Sequence, residues 1–280
     1  MVRLLGVEVA VIDLSQSVPA AENDPGFRGR ENWLPEKGPE QLEKNYFNSP
    51  LVPEEVRLRG RESPWSISRD AFPDGRFLTN EWFTISTHFG THVDAPFHYG
   101  SANGTQVADL PLEGLMGPAV VLRPRADDDR ITAGAMAAAV CSHGDGLPRI
   151  ALIETDPRHA PDEGPGYFTE HAGLTRGALQ VLLDAGVEVI GTDGASLDRP
   201  SAVMIREFLA TGDRSVMWPC HLAGREHPFQ QVERLANLDQ LPSGQPFTFL
   251  ALPIKLNASG AAWCRAVALV SQGVLGTATP

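Results

Sequence analysis

The chain has 280 residues and a formal net charge of −12, and 42% of its residues are hydrophobic. This length allows one large domain or two small ones with a substantial core, and the negative charge argues against nucleic acid or an anionic membrane as a partner. No apolar run reaches about 18 residues, so no spanning helix is expected. The three cysteines are scattered and predict no disulfide framework. Because Glu8 interrupts the apolar start too early for a secretory signal, we expect a cytoplasmic location.

The first predicted strand covers residues 7–14, which are rich in β-branched side chains. A long proline-rich stretch follows, from about residue 15 to residue 76, and predicts an irregular insertion. Such stretches often act as lids or binding loops, and the alternative is an insertion that packs its aromatic rings on the core. On the first interpretation, four aromatic residues are candidates for lining a substrate pocket: Trp33, Tyr46, Phe47 and Trp65.

Residues 80–87 predict a strand that leads directly into a dense cluster of candidate metal ligands. Three of the eight histidines and one aspartate lie within eleven residues. Imidazole nitrogen and carboxylate oxygen are ligands that suit zinc and related divalent metals. The cluster therefore predicts a metal site built from His88, His92, Asp94 and His98.

The spacing of these residues also predicts their backbone. On a strand, His92 and Asp94 would project to one side, roughly 6.6 Å apart. His88 and His98 would lie roughly 33 Å apart on a straight strand, which is too far for one site. A helix would place His88 and His92 on one face, but Gly90 and Pro96 disfavour it. We therefore expect a strand that runs into a curled loop.

The remainder of the chain predicts one mixed α/β domain over residues 1–280. Thr175 is a predicted N-cap for a helix over residues 176–185, which Gly186 would end. The pattern has many strands, few helices and no repeated βαβ rhythm. Further strands are predicted at residues 119–122, 149–154, 187–191, 247–252 and 266–270.

His221 and Glu233 are the best additional ligands, should the site hold a pair of metals. Taken alone, Glu233 is more readily interpreted as a solvated carboxylate. Asp193 and Asp198 could be site residues, but a turn stabilised by their side chains is the preferred interpretation. No dinucleotide fingerprint, P-loop or Gly-x-Ser-x-Gly elbow is present. The remaining histidines are expected at the surface: His143, His159, His171 and His227.

The pattern His88-x-Gly-Thr-His92-x-Asp94-x-Pro-x-His98 resembles the signature of a metal-dependent cyclase family that includes bacterial kynurenine formamidase and isatin hydrolase. Residues 191–198 and 211–219 are most similar to cyclases of bacterial aromatic polyketide pathways. The resemblance implies a single-domain swivelling β/β/α fold with a mixed sheet, assembled as a homodimer or a larger homo-oligomer.

The resemblance also implies roles for the candidate residues. His88, His92 and Asp94 would hold one metal, and Asp94 would join His221 and Glu233 around a second, if two are present. His98 would carry protons. Zinc fits these ligands best, with manganese and magnesium as alternatives. His98 would serve no purpose in a closed structural site, so a metal-stabilised binding protein is the least favoured interpretation.

Two reactions are compatible with such a site. The principal hypothesis is ring closure of an aromatic polyketide intermediate, in which the metal stabilises an enolate, His98 removes a proton and water is lost. The alternative is an arylformamidase that hydrolyses an amide with water activated by the metal. The expected partner in both cases is a small aromatic or polyketide molecule.

Overall fold

A computed structural model describes residues 1–4, 6–17, 24–46, 50–57, 69–101, 103–144, 146–155, 159–160 and 163–271, without the side chains of residues 32, 33 and 43–46. The chain forms two compact units. One comprises Met1–Gly26 and Ser86–Pro280, and the other comprises Phe27–Ile85. Within the described ranges, no helix combines the length and the apolar composition that crossing a membrane requires.

The strands of the described residues are β1 (Val2–Leu4), β2 (Val7–Asp13), β3 (Phe27–Trp33), β4 (Asn80–Ile85), β5 (His92–Asp94), β6 (Met116–Leu122), β7 (Arg130–Ile131), β8 (Ile150–Ile153), β9 (Gly173–Leu174), β10 (Val189–Thr192), β11 (Gln230–Glu233), β12 (Phe247–Pro253) and β13 (Ala261–Ser271). The α-helices are α1 (Gly38–Tyr46), α2 (Ala133–His143), α3 (Gly166–Thr169), α4 (Arg176–Asp184), α5 (Ser201–Thr211) and α6 (Pro219–Ala223).

The main sheet of the larger unit closes on itself. Its strand order is β1-β2-β13-β12-β6-β8-β10-β11-β5, and β5 also pairs with β13. The seven strands from β13 to β5 therefore form a barrel-like ring, to which β2 and β1 are added at β13. Strands β6, β8, β10 and β11 run parallel, whereas β5 is antiparallel to both of its neighbours.

The two faces of this sheet have different surroundings. Side chains at alternate positions of the ring strands, among them Val93, Val232 and Ala262, form one buried cluster inside the ring. The outer face of β6, β8 and β10 is covered by α2 and α4 in a second buried cluster, which includes Met136 and Leu179. Residues of β5 and β11 that point away from the first cluster therefore lie on the outer face.

The mixed α/β fold with few helices is confirmed. The predicted late strands and the helix N-capped by Thr175 are also present, and the Thr175 hydroxyl accepts a hydrogen bond from Ala178 N. The expectation of no βαβ rhythm is wrong, because β6–α2–β8–α4–β10 is a parallel βαβαβ unit. Helix α2 was not predicted because its alanine-rich sequence gives little contrast between an apolar and a polar face.

The smaller unit corrects the prediction of an irregular stretch from residue 15 to residue 76. Strand β3 and helix α1 both lie inside this stretch. Strand β3 pairs antiparallel with β4, with a register shift between Phe27 and Gly29. The unit also contains an ion pair between Arg76 and Glu36 at 2.5 Å. Strand pairing thus provides backbone hydrogen bonds in a segment whose many prolines had predicted irregular structure.

Candidate metal centre

The short strand β5 places the candidate ligands on the outer face of the ring. In the register of the sheet, His92 lies opposite Glu233 and Asp94 lies opposite Gln231. Paired residues on neighbouring strands share a face, and successive residues alternate between faces. Because Val93 points into the ring, His92, Asp94 and Glu233 all project outwards. His92 and Asp94 are nevertheless fully buried, and Glu233 is 5% exposed.

The backbone bends on both sides of β5, as the spacing predicts. Gly90 has a φ of 62°, a left-handed conformation that favours glycine, and a 3-10 turn over Pro96–Tyr99 follows the strand. The ring centroids of His88 and His98 are consequently 4.2 Å apart. Gly260 packs closely against His98, and only a glycine fits there, since a Cβ at this position would lie 2.9 Å from the Cα of His98. The predicted strand and curled loop are therefore confirmed.

Three candidate ligands form a nearly equilateral triangle. His88 Nδ1 lies 3.2 Å from His92 Nε2 and 3.1 Å from Asp94 Oδ1, and His92 Nε2 lies 3.4 Å from Asp94 Oδ1. Ligand atoms bound at about 2.0–2.1 Å in a tetrahedral zinc site stand about 3.3 Å apart. The three atoms therefore have the spacing of one face of a zinc coordination tetrahedron.

The carboxylate of Asp94 gives a second test of whether a cation fits. Both of its oxygens are buried, and neither has a partner with hydrogen-bond geometry among the residues that the structure describes. Imidazole nitrogens of four histidines lie 3.1–4.0 Å from these oxygens: those of His88, His92, His98 and His221. A buried carboxylate without a donor is costly, whereas carboxylate and imidazole lone pairs that converge on one point are suited to a cation. The residues present thus fit a divalent metal.

A second, wider set of ligand atoms adjoins the first. His221 Nε2 lies 3.9 Å from Asp94 Oδ2 and 3.7 Å from Glu233 Oε1, while Glu233 Oε2 lies 3.6 Å from His92 Nε2. His98 Nε2 is 4.0 Å from Asp94 Oδ2. The nearest ligand atoms of Asp94, His98 and His221 all lie within 4.8 Å of one another, so the geometry also allows His98 as a ligand.

The protonation states of these groups follow from their surroundings. Burial, only partly offset by Asp94, lowers the pKa of both His92 and His98 to about 4, so both rings are neutral at pH 7. Burial also acts against the charge of His221, but the hydrogen bond to Asp198 and the carboxylates of Glu233 and Asp94 raise its pKa to about 9. A metal that binds His221 must therefore displace a proton.

Several residues that support the ligands were missed or misjudged in the sequence. The Gly90 carbonyl accepts from His92 Nδ1 at 2.8 Å, which leaves Nε2 free to face the site. Asp198 does not form the predicted side-chain turn, because its carboxylate contacts the helix that carries His221. Glu233 is not solvated, since Leu197 N donates to its Oε1 at 2.8 Å. The contacts of Asp198 and Glu233 span 22 or more residues and leave no local sequence signal.

The other sequence predictions have different outcomes. Trp33 and Tyr46 end β3 and α1, with side chains outside the described atoms, and Phe47 and Trp65 lie outside the described residues altogether. Their substrate-binding role stays a prediction. The surface assignment of His171 is wrong, because it is 3% exposed and its ring contacts the carbonyls of Tyr167 and Asp198.

The fold and the histidine-rich centre agree with the comparison with known families. The Cyclase family model matches residues 12–199, and the chain belongs to this family. The resemblance to this family inferred from the sequence is thereby confirmed, whereas the further similarity to polyketide cyclases stays a prediction. The chain is 30% identical to the kynurenine formamidase of Maricaulis maris (strain MCS10) over 214 residues, which is 76% of this chain and 85% of that protein. It is 29% identical to the kynurenine formamidase of Paracidovorax citrulli (strain AAC00-1) over 183 residues, 65% of this chain and 76% of that protein.

Solved structures share the fold at lower identity. An isatin hydrolase bound to the product analogue thioisatinate superposes with a TM-score of 0.66 and 21% identity, and the match covers 95% of this chain and 94% of that one. Isatin hydrolase A from Ralstonia solanacearum gives a TM-score of 0.63 and 20% identity over 94% of this chain and 92% of that one. The fold is therefore common to the two structures and this chain.

Proposed function

We propose that this protein is a metal-dependent hydrolase that cleaves the C–N bond of an aryl amide, in the manner of an arylformamidase. The observation that carries the metal chemistry is the buried Asp94 carboxylate, which is surrounded by imidazole nitrogens and finds no partner with hydrogen-bond geometry in the described part of the chain. The similarity to kynurenine formamidases over most of both chains supports the choice of reaction.

We infer zinc as the metal, held first by His88, His92 and Asp94. The triangle of their ligand atoms has edges of 3.1–3.4 Å, which suits tetrahedral nitrogen and oxygen ligation. The atoms contributed by His221 and Glu233 are more widely spaced, so a second ion would be held less tightly. A divalent metal at such a site makes water more acidic and polarises a carbonyl.

The residues around the metal position supply the remaining chemistry. His98 is half-exposed beside Asp94, where a neutral ring can take a proton from the attacking water. Water adds to the formyl carbon, the C–N bond breaks, and the same proton passes from His98 to the leaving aryl nitrogen. The products are formic acid, which then releases a proton to solvent to give formate, and an arylamine, so atoms and charge balance without a further reactant.

Ring closure of a polyketide, the principal hypothesis from the sequence, uses the same groups with His98 as the base for enolate formation. No contact among the described residues favours a poly-β-ketone over an amide. The relatives favour the hydrolase, which was the alternative hypothesis. We therefore propose hydrolysis and treat ring closure as the competing outcome of the assay.

The assay compares two substrates with the zinc-loaded protein. N-formylkynurenine should release formate and arylamine in equal amounts, and the variant Asp94→Ala should release neither. A soluble poly-β-ketone should stay unchanged. Cyclisation of the poly-β-ketone without formate release from the formamide would overturn the proposal in favour of the cyclase.

A further inference from the structure

We propose that Asp198 is a positioning residue that fixes a proton on His221 Nδ1 and so presents Nε2 as a ligand for a second metal ion. The inference rests on the proposed function only in treating the site as a metal centre. It concerns a buried carboxylate whose position in the sequence, in the loop after β10, suggested an ordinary turn.

The loop after β10 contacts both widely spaced ligands from one side of the site. Leu197 N and Ser196 Oγ lie 2.8 and 3.2 Å from Glu233 Oε1. The next residue, Asp198, lies against α6, the helix that carries His221. Three consecutive residues therefore orient two ligands that come from different elements, β11 and α6. Among the described residues, none of the three forms a hydrogen bond or an ion pair with His88 or His92.

Asp198 is fully buried and accepts three hydrogen bonds. Its Oδ1 accepts from Cys220 N at 2.8 Å, and its Oδ2 accepts from His221 N at 3.0 Å and from His221 Nδ1 at 2.7 Å. Two backbone N–H groups donate to this side chain, one to each oxygen. A carboxylate only accepts, so Nδ1 must be the donor. The nitrogen that a metal can bind, by displacing its proton, is then Nε2, the atom that faces Asp94 and Glu233.

The helix that carries His221 depends on this contact for its placement. Helix α6 has five residues, and it begins after Trp218, which has a left-handed backbone with a φ of 46°. A helix of this length has little stability of its own. Asp198 binds the first free N–H groups of α6 and the imidazole together, so one side chain sets both the position and the tautomer of His221.

The variant Asp198→Asn keeps the size of the side chain but can no longer accept all three hydrogen bonds. If the amide oxygen faces Cys220 N, the amide N–H group faces the His221 N–H and Nδ1–H groups, and donors repel. If the amide is reversed, its oxygen faces His221 but is neutral, and it holds the Nδ1 proton less strongly than a carboxylate does. In both orientations the proton of His221 is less firmly fixed on Nδ1. The expected result is a loss of about 10–100-fold in affinity for the second ion, with the first ion retained.

Zinc titration against a competing chelator, with zinc content measured per chain, tests this expectation. The control is Asp193→Asn, a buried aspartate of the same loop that contacts Thr155 and no candidate ligand. The wild type and the control should bind two ions with the same affinities, and Asp198→Asn should weaken only the second. Equal affinities in all three proteins would overturn the proposal, and so would an equal loss in the control. A wild type with a single ion that Asp198→Asn leaves unaffected would also overturn it.

Heteronuclear NMR of labelled histidine side chains in the zinc-loaded wild type provides a readout that needs no variant. His221 should carry a proton on Nδ1 and bind zinc through Nε2. Zinc on Nδ1, or an unprotonated Nδ1, would overturn the proposal even if Asp198→Asn fails to fold. Neither measurement uses turnover. Absence of formate release would therefore refute the proposed hydrolase and leave the role of Asp198 to be decided by these data alone.

Discussion

Asp94 determines most of the chemistry of the candidate centre, because its buried carboxylate lies between two sets of ligand atoms. One oxygen faces His88 and His92, and the other faces His98 and His221. The surrounding imidazoles hold its pKa well below the usual range against the opposing effect of burial, so it is ionised at any ordinary pH. An ionised carboxylate in this buried position is stabilised by a nearby positive charge, which a bound divalent metal would supply.

We predict that Asp94→Ala abolishes zinc retention, because it removes the only ligand common to both sets. Zinc content per chain after dialysis should fall from at least one ion to a background level. Asp239→Ala, which removes an exposed aspartate that is not a candidate ligand, should leave the zinc content unchanged. Full zinc content in Asp94→Ala would refute the ligand set.

His98→Ala should retain zinc and lose turnover. Removing a positioned acid–base group typically costs about 10²–10⁴-fold in rate. The comparison to make is zinc content and formate release in the same preparation. Loss of zinc together with turnover would instead identify His98 as a ligand, which the short distances among Asp94, His98 and His221 also allow.

Asp193 gives a prediction about stability and pH. Burial raises its pKa to about 6 from 3.8, although Thr155 donates two hydrogen bonds to it. Its favourable contribution is present below the unfolded pKa and is lost as the pH rises through the folded pKa. At 1.36 kcal/mol for each pKa unit, Asp193→Asn should raise the free energy of unfolding above pH 7 by about 1–3 kcal/mol. Urea unfolding of both proteins at pH 4 and pH 8 measures this, and an equal difference at both values would contradict it.

At the scale of elements, the sequence predicted those features that depend on residues close together along the chain. The bend around β5 follows from ligand spacing and from Gly90, and the start of α4 follows from Thr175. The parallel βαβαβ unit was missed because α2 is rich in alanine and its burial comes from packing against the sheet. The contacts of Asp198 and Leu197 with His221 and Glu233 are equally non-local, and no sequence period encodes them.

Thr175→Ala tests the cap of α4. The hydroxyl accepts from Ala178 N at 3.2 Å and donates to Ile131 O at 3.1 Å. Its removal should lower the free energy of unfolding by about 1 kcal/mol, as measured in urea. Thr132, which caps α2 by accepting from Ala135 N, offers a parallel variant with a similar expected loss. A Thr175→Ala protein as stable as the wild type would show that the cap contributes nothing.

At the scale of the whole molecule, the seven-stranded ring holds in place the two strands that carry ligands of the candidate centre, β5 and β11. Its interior is a closely packed hydrophobic cluster, and the outward residues of β5 and β11 lie on the opposite face of strands that are held by this packing. The family was predictable because its signature lies in eleven consecutive residues. The swivelling description of the fold, the homodimer and the cytoplasmic location stay predictions. The substrate was less predictable, because the same ligands serve hydrolysis and ring closure.

The central claim is that a divalent metal at Asp94 is required for hydrolysis of an aryl amide. The most direct test is formate release from N-formylkynurenine by one preparation of the protein, measured as loaded, after removal of metal with a chelator, and after addition of zinc. We predict that formate release falls to the uncatalysed rate when the metal is removed and returns when zinc is added. Release that continues at the original rate in the metal-free protein would contradict it.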